Sequence, residues 1–155
     1  MTVRAWRLVK AAHGATAFDG EGARRYGGRW NARNTPMVYL GGTLSLAALE
    51  VFVHLTADDA RLRFVAMAVD IPDEVTTEDL DPKALPRDWR SEPPPAACQA
   101  LGTAWAEKGE SAVLRVPSVI VPAEWNVLLN PRHPDFRHIR TGDPEPFGFD
   151  TRMWK

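Results

Sequence analysis

The side chain in this sequence that is chemically hardest to place is the carboxylate of Glu50. It lies in the apolar run LAALEVFV, residues 46–53, so its neighbours on nearly every side are hydrocarbon. Burying an unpaired charge is costly, and the carboxylate therefore needs a polar partner or a cavity with polar contents. Two interpretations follow: a functional acid in a cleft, or a helix carboxylate that meets solvent or a structural arginine.

Two arginines have settings in which they could bind phosphate. Arg29 follows a glycine pair, where the backbone lets a ligand approach closely, and an arginine fork matches phosphate geometry. Arg7 lies between two large apolar residues in a predicted strand, so it enters a cleft or points to solvent by simple alternation. The alternative for Arg29 is a solvated side chain in an ordinary loop turn.

Tyr39 and Ser118 could contact a ligand from neighbouring segments. Tyr39 ends a short apolar run just before a second glycine pair, and its ring could stack on a flat heterocycle or form half-buried core. Ser118 follows Pro117 between two apolar runs, where its hydroxyl could bond a ligand or cap a local turn.

The other reactive residues and the charge balance exclude several classes of site. The 4 histidines have no metal-ligand spacing, and the single cysteine, Cys98, can form neither an internal disulfide nor a cysteine-based zinc site. A net charge of −1 gives no global basic field, so direct nucleic-acid binding is not predicted. Since no apolar run approaches transmembrane length and one thiol fits a reducing compartment, we expect a cytoplasmic protein away from membranes.

Apolar patterning and turn residues predict the elements that must position these side chains. A first helix is expected over residues 45–55, capped by Thr43 and largely buried. A second helix is expected over Ala96–Lys108, with Gly109 as its stop signal. Strands are expected at residues 3–9, 37–40, 62–71, 112–116, 119–121, 127–130 and 136–140. Residues 14–28 suggest a long loop, and residues 73–95 an irregular connection with one helical turn.

Strands precede and follow two central helices without regular βαβ alternation. This pattern predicts an α+β single domain over residues 1–155, with mostly antiparallel pairing. The N-terminal glycines do not form a dinucleotide fingerprint, which requires a strand before it and a helix directly after it.

Taken together, the order of the motifs resembles the RES domain family. The matching segments are Arg7, GEGARRYGGRWN (20–31), VYLGGTLSLAALE (38–50), LPRDWR (85–90), VPSVIV (116–121) and NVLLNPRHPDF (126–136). The resemblance runs from Trp6 to the terminal FDTRMW. By it, Arg7 and Arg29 fall on the family's arginines, while Tyr39, Glu50 and Ser118 match its tyrosine, glutamate and serine.

The resemblance implies an ADP-ribosyltransferase-like fold, in which helices flank a mixed, mostly antiparallel split sheet around a NAD⁺ cleft. It also implies a toxin of a bacterial type II toxin–antitoxin pair, whose Xre-type antitoxin blocks the cleft. Family members cleave the nicotinamide–ribose bond by hydrolysis or phosphorolysis, or transfer ADP-ribose to a protein. NAD⁺ is then a substrate, and no metal is required.

The residue types fit that chemistry. Arg7 and Arg29 would hold the diphosphate, Tyr39 would stack on the nicotinamide ring, and Ser118 would bond the nicotinamide amide or a ribose hydroxyl. Glu50 would stabilise positive charge developing on the ribose. A non-catalytic interaction module remains a third hypothesis, because residues 85–105 are rich in proline and aromatic side chains.

Overall fold

The computed structural model describes residues 2–155, and its centre is an eight-stranded sheet. The strands are β1 Thr2–Lys10, β2 Val38–Gly41, β3 Phe64–Pro72, β4 Thr77–Asp79, β5 Val113–Pro117, β6 Trp125–Leu129, β7 Arg140–Thr141 and β8 Glu145–Phe147. Their order is β4-β5-β6-β2-β1-β3-β7, and β8 also pairs with β3. Among these strands only β4 and β5 are parallel, so the predicted mixed, mostly antiparallel sheet is confirmed.

Three α-helices accompany the sheet: α1 Glu21–Tyr26, α2 Leu44–Phe52 and α3 Ala96–Lys108. Helix α2 begins where the sequence predicts, because the Thr43 hydroxyl accepts a hydrogen bond from the Leu46 amide at 3.1 Å. Helix α3 ends at Gly109, whose φ of 64° is readily available to glycine. No helix within residues 2–155 is long and apolar enough to cross a membrane.

The sheet is joined at its middle through a single residue pair. Strand β1 pairs with β3 from Thr2 to Lys10, and β2 pairs with β6 along its whole length. Between β1 and β2, however, the register has one pair, Trp6 with Gly41. The two halves of the sheet therefore diverge on either side of this contact, which corresponds to the predicted split.

Helices α2 and α3 pack on the same face of the sheet, one on each half. Directly paired residues have their side chains on the same face of a sheet. The register therefore places the buried residues under α2 and those under α3 on one face. Those under α3 are Leu114, Val116 and Leu128, and those under α2 are Leu8, Phe64 and Ala66. The opposite face carries a third core cluster: Ala5, Val38, Leu40, Val69, Val113, Val127 and Leu129.

Two segments predicted as irregular contain regular structure. Residues 14–28 are not one long loop, because a 3₁₀ turn at Ala11–Thr16 and helix α1 lie there, with Gly20 at φ 73° before α1. The connection at residues 73–95 contains strand β4, which pairs with β5 at the edge of the sheet, beside the one expected helical turn at Pro82–Ala84. Both were missed because such short elements depend on tertiary contacts more than on local pattern.

One predicted strand, residues 119–121, is absent from the described chain, and another, residues 136–140, is present only at Arg140, where β7 begins. At residues 119–121 the amides of Ile120 and Val121 donate to the Ser118 hydroxyl, so the backbone bends. At residues 136–140 the chain forms a 3₁₀ turn, Pro134–His138, which follows His133 as its cap. After Ser118 a side chain bonds amides that a strand would have paired, and in the 3₁₀ turn the amides of Phe136 and Ile139 bond the carbonyls of His133 and Phe136. Apolar pattern does not reveal this competition for backbone amides.

Helix α2 is also less buried than its composition predicts. Only Leu46 and Ala47 are fully buried, and Val53 just beyond its end is 56% exposed. One side of the helix packs on the sheet, and another side borders the cleft described below. Its apolar residues therefore line a cavity as well as the core.

Candidate active site

A cleft of about 1060 Å³ opens above the place where the two halves of the sheet diverge. Its volume is at the upper end of the range for small-molecule sites. Four of the five residues predicted from the sequence line it: Arg7, Arg29, Tyr39 and Glu50. The fifth, Ser118, lies behind Glu50.

The Glu50 carboxylate is held by two donors that converge on one oxygen. The Ser118 hydroxyl donates to Oε1 at 2.6 Å, and the Asn126 amide donates to the same atom at 2.7 Å. Within residues 2–155, Oε2 has no donor of this kind, and the residue borders the cleft. The carboxylate is thus fixed through one oxygen by a hydroxyl and an amide, and it borders the cleft instead of meeting the structural arginine of the second interpretation.

Ser118 is fully buried, and it links Glu50 to the segment after β5. Its hydroxyl accepts from the amides of Ile120 and Val121, both at 3.1 Å, while its single proton goes to Glu50. The family resemblance implies that Ser118 bonds the ligand, whereas in the structure its hydroxyl bonds Glu50 and the amides of the local turn. Of the two alternatives for this residue, the cap of a local turn is confirmed, and the contact with a ligand stays a prediction.

Tyr39 fastens the glycine loop to the sheet. Its hydroxyl donates to Asn31 Oδ1 at 2.6 Å and accepts from the Trp30 amide at 3.0 Å. Burial raises the pKa of the Tyr39 phenol, so it stays protonated at neutral pH. A Cβ on Gly28 would come within 2.6 Å of the Tyr39 hydroxyl, which explains why the loop requires glycine there.

Asn31 belongs to the GGRWN segment, where the sequence predicts no role for it, and it organises this loop. It is fully buried, and its amide nitrogen donates to the carbonyls of Ala23, Ala32 and Thr35 at 2.8–3.1 Å. These bonds tie the loop that carries Arg29 to α1 and to the segment that follows the loop. A polar residue amid GGRWN was the available signal.

Arg29 uses its guanidinium on a neighbouring segment, residues 89–92, which we call the strap. Nη1 donates to the carbonyls of Trp89 and Ser91 at 2.9 and 2.8 Å, and Nη2 forms an ion pair with Glu92 at 2.6 Å. The Arg29 side chain is only 12% exposed. The LPRDWR motif thereby acquires a structural role, since its Trp89 carbonyl is one of the acceptors.

Arg7 bridges the diverging halves of the sheet. Its Nε donates to the Ala17 carbonyl at 3.0 Å, and its Nη1 donates to the Tyr39 carbonyl on β2 at 3.1 Å. Burial lowers the pKa of Arg7 to about 10, although nearby Asp19 opposes the shift. The guanidinium remains a cation at neutral pH, and it lines the cleft with its positive charge.

Asn126 is the residue at this site that sequence reasoning missed. It lines the cleft from β6 and bonds Glu50, yet its own carbonyl oxygen, Oδ1, is buried without a hydrogen-bond partner. It occurs within NVLLNPRHPDF, where strand alternation alone gives no reason to choose it. The signal that could have found it is a polar side chain in an otherwise apolar strand.

Comparisons with known proteins agree on one family over nearly the whole chain. A model described as the RES domain matches residues 4–150. The chain is 40% identical over 151 residues to a protein named Toxin Res from Photorhabdus laumondii, covering 97% of this chain and 96% of that one. It is 38% identical over 157 residues to a Prs ADP-ribosylating toxin from a Sphingobium species, covering 99% and 98%.

A solved structure has the same fold. A chain in the crystal structure of the M. tuberculosis MbcT–MbcA toxin–antitoxin complex superposes with a TM-score of 0.76 at 21% identity. The match covers 96% of this chain and 85% of that one. The fold class expected from the resemblance is therefore confirmed.

Proposed function

Because the chain belongs to the RES domain family, we propose that it is a toxin which cleaves NAD⁺ between nicotinamide and ribose. The observation that carries the proposal is the Glu50 carboxylate, held through one oxygen at the wall of a cleft. Its family relatives named as toxins, at 38–40% identity over almost their full length, support the biological role.

The cleft offers the contacts that NAD⁺ requires. Its volume of about 1060 Å³ can accommodate a dinucleotide, and the cationic side chains of Arg7 and Arg29 can neutralise a diphosphate. The Tyr39 ring, neutral because burial raises the pKa of its phenol, can lie against the cationic nicotinamide ring. To bind the diphosphate, Arg29 would have to exchange its ion pair with Glu92 for contacts with phosphate oxygens.

The chemistry needs one carboxylate and no general acid at the leaving group. When the bond between nicotinamide N1 and ribose C1″ breaks, the electron pair leaves with nitrogen and nicotinamide departs neutral. Positive oxocarbenium character then develops on the ribose, and Glu50 Oε2 would stabilise it. Water adds to give ADP-ribose and a proton, or phosphate adds to give ADP-ribose 1″-phosphate.

The same site could deliver ADP-ribose to a nucleophile on a protein. The observation in favour of this second function is the Sphingobium relative, which is named for ADP-ribosylation of Prs. The cleavage step would be shared, and only the acceptor beside the ribose would differ. Arg7, Arg29, Tyr39 and Glu50 would have unchanged roles, whereas Ser118 would act by holding Glu50.

We further propose a protein antitoxin of the Xre type as the partner that blocks the cleft. The structural neighbour, a chain from a toxin–antitoxin complex, supports a protein antitoxin, and the family resemblance implies the Xre type. Expression of this chain alone should inhibit growth, and co-expression of the antitoxin should relieve the inhibition. Normal growth at high expression would contradict potent activity.

The direct test is to incubate the purified chain with NAD⁺, with and without phosphate, and to identify the products by mass spectrometry. We expect nicotinamide release by the wild type and at least a hundredfold slower release by Glu50→Gln, on the order of the loss of one electrostatic stabiliser. Glu107→Gln, at an exposed position on α3 away from the cleft, is the matched control.

The products distinguish the acceptors. ADP-ribose indicates water, its 1″-phosphate indicates phosphate, and a labelled protein in lysate supplied with labelled NAD⁺ indicates transfer. A chain that neither releases nicotinamide nor labels a protein would contradict the proposal and favour a non-catalytic interaction module.

A further inference from the structure

Asn126 stands where the two halves of the sheet meet. In the register it pairs with Gly41, and Gly41 in turn pairs with Trp6 on β1. Its side chain borders the same cleft as Glu50, although the two residues are separated by 76 positions in the chain. The fold therefore brings a side-chain amide to the carboxylate from a different half of the molecule.

The Asn126 amide and the Ser118 hydroxyl together fix the direction of the Glu50 carboxylate. Both donate to Oε1, at 2.7 and 2.6 Å, which are short distances of the kind that charged acceptors give. Two donors on one oxygen define the plane of the carboxyl group better than one donor does. Oε2 is thereby the oxygen that remains for a substrate.

The Asn126 amide is held in an orientation that is unfavourable for Asn126 itself. Its Oδ1 is buried and has no hydrogen-bond partner within the described chain, which costs the solvation that this oxygen has in water. Rotating the amide by half a turn would place Oδ1 against Glu50 Oε1 and remove the donor. An apolar side chain of similar size would avoid the unsatisfied oxygen, but it could not bond Glu50.

We propose that Asn126 is a positioning residue, which holds the Glu50 carboxylate for catalysis at a cost to the stability of the fold. The inference rests on the proposed NAD⁺ cleavage for its kinetic readout. Asn126 acts through Glu50: it fixes Oε1 and makes Oε2 the reacting oxygen. Unsatisfied buried polar groups of this kind are expected where function outweighs stability.

Ser118 and Asn126 differ in a way that makes Asn126 the cleaner test. The Ser118 hydroxyl also accepts hydrogen bonds from the amides of Ile120 and Val121, so removing the hydroxyl disturbs the local turn as well as Glu50. The Asn126 side chain bonds Glu50, and its other polar atom has no partner. A change at Asn126 therefore removes the support of Glu50 without breaking a second hydrogen bond.

The experiment compares Asn126→Leu and Asn126→Ala with the wild type in kinetics, thermal unfolding and crystal structure. We expect kcat for nicotinamide release to fall about tenfold to a hundredfold, as for the loss of a hydrogen bond to a charged group, with KM for NAD⁺ little changed. The thermal midpoint should be unchanged or higher, because the unsatisfied oxygen is gone. The crystal structure should have Glu50 rotated away from its wild-type direction.

Other outcomes overturn the proposal. A lower thermal midpoint with unchanged kcat would make Asn126 a structural residue, and so would a Glu50 carboxylate that keeps its direction in both variants. If the wild type itself releases no nicotinamide, the proposed function fails. The crystal structures of the variants then still decide whether Asn126 positions Glu50.

Discussion

At the scale of single residues, the Arg29 guanidinium is bonded to the strap, residues 89–92 of the same chain. Three of its hydrogen bonds reach Trp89, Ser91 and Glu92, and the last is a carboxylate that is 68% exposed. A carboxylate on this guanidinium occupies the kind of contact that a phosphate would take. Substrate binding by the proposed mechanism therefore competes with Glu92.

This competition predicts the effect of Glu92→Gln. Removing the charge weakens the internal ion pair, and an ion pair with one exposed partner contributes about 0.2–1 kcal/mol. We expect KM for NAD⁺ to fall about twofold to fivefold in steady-state kinetics, with kcat unchanged. Glu74→Gln, at an exposed position outside the cleft, is the control, and a higher KM in Glu92→Gln would contradict the competition.

At the scale of elements, helix α2 carries Glu50 and depends on its first turn. The Thr43 hydroxyl satisfies the Leu46 amide, which would otherwise lack a partner at the helix start. Glu50 is further along the helix and is also held from outside by Ser118 and Asn126. The start of the helix and the position of the carboxylate are therefore supported independently.

Thr43→Ala should separate stability from activity. Loss of the N-cap should lower the free energy of unfolding by about 0.5–2 kcal/mol in denaturant titrations. The kcat/KM of the folded protein should stay within about threefold of the wild type, because a change of this size is under one kcal/mol in the barrier. Ser45→Ala, exposed in the same helical turn, should leave the stability nearly unchanged. A tenfold loss of kcat/KM in Thr43→Ala would make the cap part of the site.

At the scale of the whole molecule, ion pairs link neighbouring strands of the sheet. Arg115 on β5 bonds Asp79 on β4 with two contacts of 2.6 Å, and this pairing lowers the pKa of the Asp79 carboxyl. Arg4 likewise lowers the pKa of Asp70 across β1 and β3. Acidic groups with lowered pKa values stabilise the fold above their unfolded pKa of 3.8.

The molecule should therefore lose stability in acid, and this loss should be smaller in Asp79→Asn. As the pH falls below 3.8 and through the lowered pKa values, the unfolded chain binds more protons than the folded one, and the thermal midpoint should decrease. In Asp79→Asn, this decrease should be shallower, since one linked group is gone. The measurement is the thermal midpoint between about pH 5 and pH 2, and equal slopes for both proteins would contradict the assignment.

The sequence by itself determined the local elements and the most informative residue. Thr43 and Gly109 placed a helix start and a helix end, because capping depends on neighbours a few residues away. The apolar runs placed the long strands β1 and β3, and Glu50 stood out as a charge among hydrocarbons. The family resemblance then gave predicted roles to the other candidate residues, and the family itself is confirmed by the RES domain model over residues 4–150.

Only the tertiary structure decided how these residues work together. The bonds from Ser118 and Asn126 to Glu50 span 68 and 76 positions, and those from Arg29 to the strap span 60–63. No local pattern encodes such contacts, because they arise from strand register and from the divergence of β1 and β2. Short elements such as β4 and the bend after Ser118 were not predicted from the sequence for the same reason. Their backbone groups bond to partners distant in the chain or to a side chain.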